Sequence, residues 1–219
     1  MMQSVAMRAI CAALAPLLAL SACTMEEKSY VAPAAMAASE MPATGRHEQA
    51  ASLYIAPEIA GLQTPFQYKL GDMGCTVTIA AGEPLASAIE SVTRAAFARV
   101  ARGGGLAQPP AGVDRHIAVQ FDSLTMAPPK ISVRFPDYDG EADVDLGLRI
   151  SVYDGKGGLL LRRALAAAGH GEIKSASDWS CGALGGDIES KAIGDAIRKL
   201  MHAYAQSVLH APELTTAAD

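Results

Sequence analysis

The chain has 219 residues, of which half are hydrophobic and 5% aromatic, and its formal net charge is −5. This apolar content excludes a disordered chain, and the length is enough for one domain with a proper core. A nucleic-acid partner would require a basic stripe, and binding of anionic lipid by charge would require a polybasic patch. The sequence contains neither.

Residues 9–20 form an apolar run that follows a single basic residue, Arg8. About a dozen apolar residues suit the core of a signal peptide, whereas a membrane-spanning helix needs roughly 20. The run ends in Leu20, Ser21, Ala22 and Cys23, which resemble the lipobox of a bacterial lipoprotein precursor. The alternative is an ordinary buried helix that ends in a cysteine.

The resemblance implies that residues 1–22 are a signal peptide, which is cleaved off, and that Cys23 is lipidated on its thiol and its new amine. Several acyl chains such as palmitate anchor a protein stably, because a single chain gives only marginal binding. Thr24 stands where many lipoproteins retained in the inner membrane carry aspartate. The resemblance therefore implies anchoring to the periplasmic face of the outer membrane.

Residues 23–50 are predicted to be the lipidated N-terminus and a flexible tether. They are rich in Ala, Met, Pro, Ser and Glu and show no sustained periodicity. A random coil of this length reaches about 25 to 30 Å. We expect folded structure from near Leu53, a single domain over residues 51–211, and a disordered tail over residues 212–219.

The first predicted elements of the domain are a strand over residues 76–80 and a helix that starts at Gly82. Pro84 suits the first turn of this helix, and apolar residues recur at helical spacing as far as Val100. Three glycines, at 103–105, then end it.

Alternating apolar residues predict further strands over residues 117–121, 131–135 and 144–152, of which the third has the strongest pattern. The first two are either separate strands or one strand with a break. A glycine-rich turn at 154–158 predicts a hairpin, with a return strand over residues 159–168. Asp187 can cap a final helix that runs to about Leu209.

These elements predict an α+β fold: a two-layer sandwich with two amphipathic helices on one face of a mixed sheet of about four strands, in the order β-α-β-β-β-α. The residues 82–100, 144–165 and the last helix carry a resemblance to small periplasmic lipoproteins. These are the LptE-like, YajG-like and ABC-transport auxiliary lipoproteins, and the N-terminal domain of TolB has the same arrangement. Fold similarity implies no particular function.

Four cysteines occur in the sequence. Cys11 leaves with the signal peptide and Cys23 is used for lipidation, which leaves Cys75 and Cys181. An even pair in an oxidising compartment predicts a disulfide between the start of the sheet and the last helix. The alternative is two separate buried thiols.

Acidic residues alternate along one stretch, at Asp137, Asp139, Glu141, Asp143 and Asp145. Oxygen ligands at this spacing suit calcium in principle, but Gly140 comes too early for a calcium-binding loop. The favoured interpretation is a solvated turn followed by the outer face of a strand.

The sequence offers no recognisable catalytic, cofactor-binding or metal-binding motif. The histidines lie outside any zinc-ligand spacing, and neither a nucleophile elbow nor a phosphate loop occurs. We interpret the histidines as surface or half-buried residues, and they are His47, His116, His170, His202 and His210.

We therefore expect a non-enzymatic binding or scaffolding component of the cell envelope, whose partner is an envelope protein or a lipid. An open sheet edge could recruit that partner by strand addition. Three alternatives remain: an accessory of lipid or lipopolysaccharide transport, an envelope hydrolase with a site assembled from scattered residues, and a purely structural protein.

Overall fold

A computed structural model describes residues 25–30, 46–70, 73–178, 180 and 182–211. Nine strands and three α-helices lie in these residues, and a short π-helical turn, Gly182–Gly186, precedes the last helix. The strands are β1 Met25–Tyr30, β2 His47–Ile55, β3 Gln63–Leu70, β4 Met73–Ala80, β5 Phe97–Arg102, β6 Arg115–Met126, β7 Lys130–Arg134, β8 Asp137–Asp154 and β9 Leu159–Ala176. The helices are α1 Pro57–Ala60, α2 Gly82–Ala96 and α3 Asp187–Leu209.

The strands form two sheets. The smaller has the order β1-β4-β3, with β1 parallel and β3 antiparallel to β4. The larger has six strands: β2 lies between β5 and β6, parallel to both, and β6 pairs with β8. The long strand β8 pairs with β6 and then β7 along one edge, and with β9 along the other.

The β8–β9 hairpin is the longest strand pairing of the large sheet. From Tyr138 to Val152, every second side chain of β8 is buried, because the pleat points alternate residues into the core. At the turn, the Asp154 carboxylate accepts hydrogen bonds from the backbone N–H groups of Lys156 and Gly158, both at 2.8 Å. These bonds lower the pKa of Asp154.

Helix α3 packs closely on β9 because two glycines of that strand leave room for it. A Cβ atom at Gly169 would overlap the Ala192 carbonyl oxygen, and one at Gly171 would overlap the Ile188 carbonyl oxygen. Helix α2 packs beside α3, where the buried hydroxyls of Thr93 and Tyr204 lie 2.8 Å apart.

The α+β class and the mixed sheet are confirmed, but the predicted count of about four strands and the predicted order are wrong. The large sheet has six strands. Two strands that the prediction omitted, β2 and β5, pair with each other in parallel, and such pairing is nonlocal and leaves little trace in short-range periodicity.

Helix α2 ends at Ala96, not at Val100 as predicted. The fully buried ring of Phe97 stacks on His47 with ring centroids 4.9 Å apart, at the start of β5. The Arg46 guanidinium also donates hydrogen bonds to the carbonyls of Phe97 (2.8 Å) and Ala98 (3.0 Å). These contacts hold the chain extended where the apolar spacing alone would have continued the helix.

The structure differs from the predicted tether at two places. Residues 25–30 form β1, whose register pairs Met25 with Cys75, and β2 begins at His47 rather than near Leu53. Residues 1–24 and 31–45, which include the predicted signal peptide and the rest of the tether, lie outside the described residues, as does the predicted tail at 212–219.

Candidate functional site

A β-hairpin over residues 130–143, which we call the hairpin arm, carries Phe135. Among the large apolar side chains of the described residues, that of Phe135 is the most exposed. The arm consists of β7, a turn at Phe135 and Pro136, and the first part of β8. Phe135 is 90% exposed and Val133 is 51% exposed. The outer edge of β7 pairs with no strand among the described residues. The arm therefore presents both an apolar tip and an open strand edge.

The acidic run lies along the arm and continues down β8. Its side chains alternate with buried residues such as Tyr138 and Ala142, so they occupy the outer face of the strand. Several have partners: Glu141 pairs with Lys130 at 3.0 Å, and the Asp139 carboxylate accepts a hydrogen bond from the Ser175 N–H at 2.9 Å. The interpretation as a strand's outer face is confirmed.

A cavity of about 220 Å³ lies beside the arm. Small-molecule sites commonly have volumes of about 300 to 1,000 Å³, so this cavity is small for one. Residues of β7, β8 and β9 line it, and they are Lys130, Ile131, Ser132, Asp139, Gly140, Glu141 and Glu172.

His170 and Asp143 form an exposed pair across β8 and β9, with Nδ1 and Oδ1 2.9 Å apart. The hydrogen bond to Asp143 raises the pKa of His170. This geometry resembles the base and orienting acid of a hydrolase, but the described residues provide it with neither a serine nor a cysteine nucleophile at hydrogen-bonding distance.

A serine–histidine pair that the sequence analysis did not identify lies in the core. Ser52 Oγ is 2.8 Å from His116 Nδ1, and His116 Nε2 donates to the Gly105 carbonyl at 2.6 Å. Since Nε2 donates, Nδ1 accepts from the serine hydroxyl. Both residues are fully buried, so the pair joins β2, β6 and the loop between β5 and β6 without access for a substrate. Full burial also corrects the prediction that His116 is a surface or half-buried histidine.

The other histidines show no clustering. His47 is half-buried on Phe97, with Nε2 3.1 Å from the Val208 carbonyl, whereas His202 and His210 are exposed. No group of three or more His, Cys, Asp or Glu side chains within the described residues is arranged to hold a metal ion.

The edge of β9 that does not pair with β8 is covered by side chains of α3. Lys199 Nζ donates to the Ala168 carbonyl at 3.0 Å, and Lys191 Nζ to the Glu172 carbonyl at 3.4 Å. Between them the His170 N–H donates to Asp195 at 3.1 Å. These three α3 residues, four apart, lie on one helix face, so this part of β9 cannot pair with another strand.

Glu189, in the first turn of α3, is fully buried, and neither of its carboxylate oxygens has a hydrogen-bond partner among the described residues. Burial, together with the nearby Asp143 charge, raises its pKa to about 7. Nothing in the sequence pattern identified this residue.

The predicted lipidation and disulfide residues are only partly described. Cys75 is buried within β4, which begins at Met73 and not at the predicted residue 76. Cys23 and Cys181 lie outside the described residues, so lipidation at Cys23 and the Cys75–Cys181 disulfide stay predictions. Within the described part of the chain, the helices are all too short or too polar to cross a bilayer.

The chain matches no protein-family model and no curated protein sequence. Among solved structures, it is similar to a minor lipoprotein from Acinetobacter baumannii, with 10% identity and a TM-score of 0.39 over 73% of this chain and 91% of the other. A Helicobacter pylori protein described as a neuraminyllactose-binding hemagglutinin homolog has 9% identity and a TM-score of 0.45 over 80% and 91%. A Caulobacter crescentus protein described as a lipoprotein has 12% identity and a TM-score of 0.28 over 58% and 82%.

Proposed function

We propose that this chain is a lipoprotein anchored to the periplasmic face of the outer membrane, where it acts as a non-enzymatic binding or scaffolding component of the cell envelope. The observation that carries the proposal is the lipobox resemblance, which ends in Cys23 after a short apolar run. Thr24 favours the outer membrane over the inner one.

Three features of the described residues support a non-enzymatic role. The buried Ser52–His116 pair has no path for a substrate, and the exposed His170–Asp143 pair has no nucleophile beside it. The cavity beside the hairpin arm is smaller than most ligand pockets. Each of these three features makes binding through the protein surface a simpler function for this domain than catalysis.

The open edge of β7 is the surface best suited to a protein partner. Four of its five residues are exposed, and its pairing with β8 uses only one edge. A partner strand can therefore add its backbone hydrogen bonds there. The β9 edge is less suitable because Lys191, Asp195 and Lys199 occupy its backbone groups.

Labelling with a palmitate analogue in a Gram-negative host tests the anchor. We expect the wild-type protein to incorporate label and the C23A variant to lose it. The C11A variant is the matched control, since it changes a cysteine of the signal peptide that is not the lipobox residue, and it should keep the label. Mass spectrometry should find Cys23 as the modified first residue, and an unmodified protein would contradict the proposal.

A further inference from the structure

If Cys23 is lipidated as proposed above, the position of β1 determines which end of the domain faces the membrane. Met25, the first residue of β1, comes two residues after Cys23 in the sequence, a span of at most about 7 Å. Because β1 pairs with β4 in the small sheet, the anchor is attached almost directly to the folded domain. The end of the domain where β1 begins must therefore lie next to the lipid.

The same end carries the tip of the hairpin arm. Met25 pairs with Cys75, and Cys75 pairs with Tyr68, whose ring lies against Gly185 just before α3. At the start of α3, the Ile188 side chain lies against Gly140 of the arm.

The electrostatics of Tyr138 agree with this placement. Its pKa is raised by burial and by the charges of Asp178, two residues after the end of β9, and Asp187, at the start of α3. The start of β1, the start of α3, the end of β9 and the tip at Phe135 are thus gathered at one end. The β8–β9 turn, by contrast, closes the far end of the long hairpin.

The tip is suited to shallow contact with lipid. Phe135 and Val133 are exposed apolar side chains, and the neighbouring Arg134 cation suits the level of the lipid headgroups. Asp137 and Asp139 follow immediately, and carboxylates are costly to bury in the hydrocarbon region. These charges therefore limit insertion to the turn itself.

We propose that the Phe135 tip inserts shallowly into the periplasmic leaflet of the same bilayer that holds the lipid anchor, which fixes the orientation of the domain on the membrane. One phenylalanine binds lipid weakly by itself. The nearby anchor makes this second contact intramolecular, and so raises its effective concentration. The tip then contacts a lipid surface and not a groove of a partner protein.

The test uses the purified lipidated protein in vesicles of phosphatidylethanolamine and phosphatidylglycerol, with and without brominated acyl chains. Tryptophan is introduced by F135W in a W179F background, which removes the single native tryptophan. The matched control is L159W in the same background, since Leu159 is 50% exposed beside the far turn. Brominated lipid should reduce the fluorescence of F135W and leave that of L159W unchanged.

The outcomes separate this proposal from the one on which it depends. A lipidated protein that floats with vesicles but shows equal fluorescence in both lipids overturns the insertion alone. A protein that carries no lipid and does not float overturns both proposals.

If the W179F background does not fold, benzoylphenylalanine at position 135 of the otherwise unaltered chain gives a second measurement. A lipid adduct after photolysis supports insertion. A protein adduct without lipid shows a protein partner and rejects it.

Discussion

Glu189 is a carboxylic acid in an environment that disfavours its charged form. Its carboxylate is fully buried, no hydrogen-bond partner for it lies in the described part of the chain, and burial raises its pKa from 4.5 to about 7. The folded protein therefore holds a proton on Glu189 more tightly than the unfolded chain does. The free energy of unfolding has no penalty from this group below pH 4.5, falls as the pH rises from 4.5 to about 7, and carries the full penalty above that.

The E189Q variant should remove this penalty, because glutamine has the same shape and no charge. We expect it to raise the free energy of unfolding above pH 7 by as much as about 3 kcal/mol and to flatten the dependence between pH 4.5 and 7. Urea unfolding across this range measures the effect. E83Q, which changes an exposed acid in the first turn of α2, is the control. An E189Q profile that follows the wild type would contradict the argument.

At the scale of elements, the contact between α3 and β9 depends on glycines that no side chain can replace. A Cβ atom at Gly169 would overlap the Ala192 carbonyl oxygen and crowd the Ala196 backbone nitrogen. We therefore expect G169A to lower the free energy of unfolding by about 1 to 3 kcal/mol, the usual cost of overpacking. A166V, at an exposed position of the same strand, should change it little. Denaturant unfolding compares the two.

The closed edge of β9 gives a second prediction at this scale. Burial alone would raise the pKa of Asp195, but hydrogen bonds from Lys199, Arg198 and the His170 N–H outweigh it and lower the pKa to about 2. Asp195 therefore stays charged and bound to the edge at neutral pH.

Replacing the three α3 residues in a K191A/D195A/K199A variant should expose the backbone groups of β9. An unpaired edge strand promotes pairing between copies. We expect concentration-dependent self-association of the variant in sedimentation velocity, while a K156A variant, changed in the β8–β9 turn, sediments as the wild type does. A triple variant that stays at the wild-type sedimentation coefficient would show that the edge needs no protection.

Elements with strong local periodicity could be predicted from the sequence. The alternation along 144–152 predicted the centre of β8, and the stripe after Asp187 predicted α3 and its C-terminal end at Leu209. The predicted cap is wrong, because Asp187 is the first helical residue and Gly186 is the N-cap. By contrast, β2 and β5 depend on parallel partners distant in the chain, and Val100 continued a helical spacing although it lies in a strand. The buried Ser52–His116 pair and Glu189 depend on burial, which periodicity does not report.

At the scale of the whole molecule, the predicted Cys75–Cys181 disulfide would be a covalent link between the small sheet and the segment that precedes α3. Cys75 is buried in the small sheet, and the turn Gly182–Gly186, which directly follows Cys181 in the sequence, contacts β4. The predicted disulfide would therefore tie the small sheet to the start of α3 and so to the large sheet.

The C75A/C181A variant should be less stable, because a disulfide that closes a loop of about 100 residues contributes up to about 4.7 kcal/mol by limiting the unfolded chain, less any strain. Denaturant unfolding of the oxidised protein, the reduced protein and the variant measures this contribution. Reductant should lower the stability of the wild type to that of the variant and leave the variant unchanged. If both thiols of unreduced periplasmic protein react with an alkylating agent, the link does not exist, and the contact of the small sheet with the Gly182–Gly186 turn must then be held by packing alone.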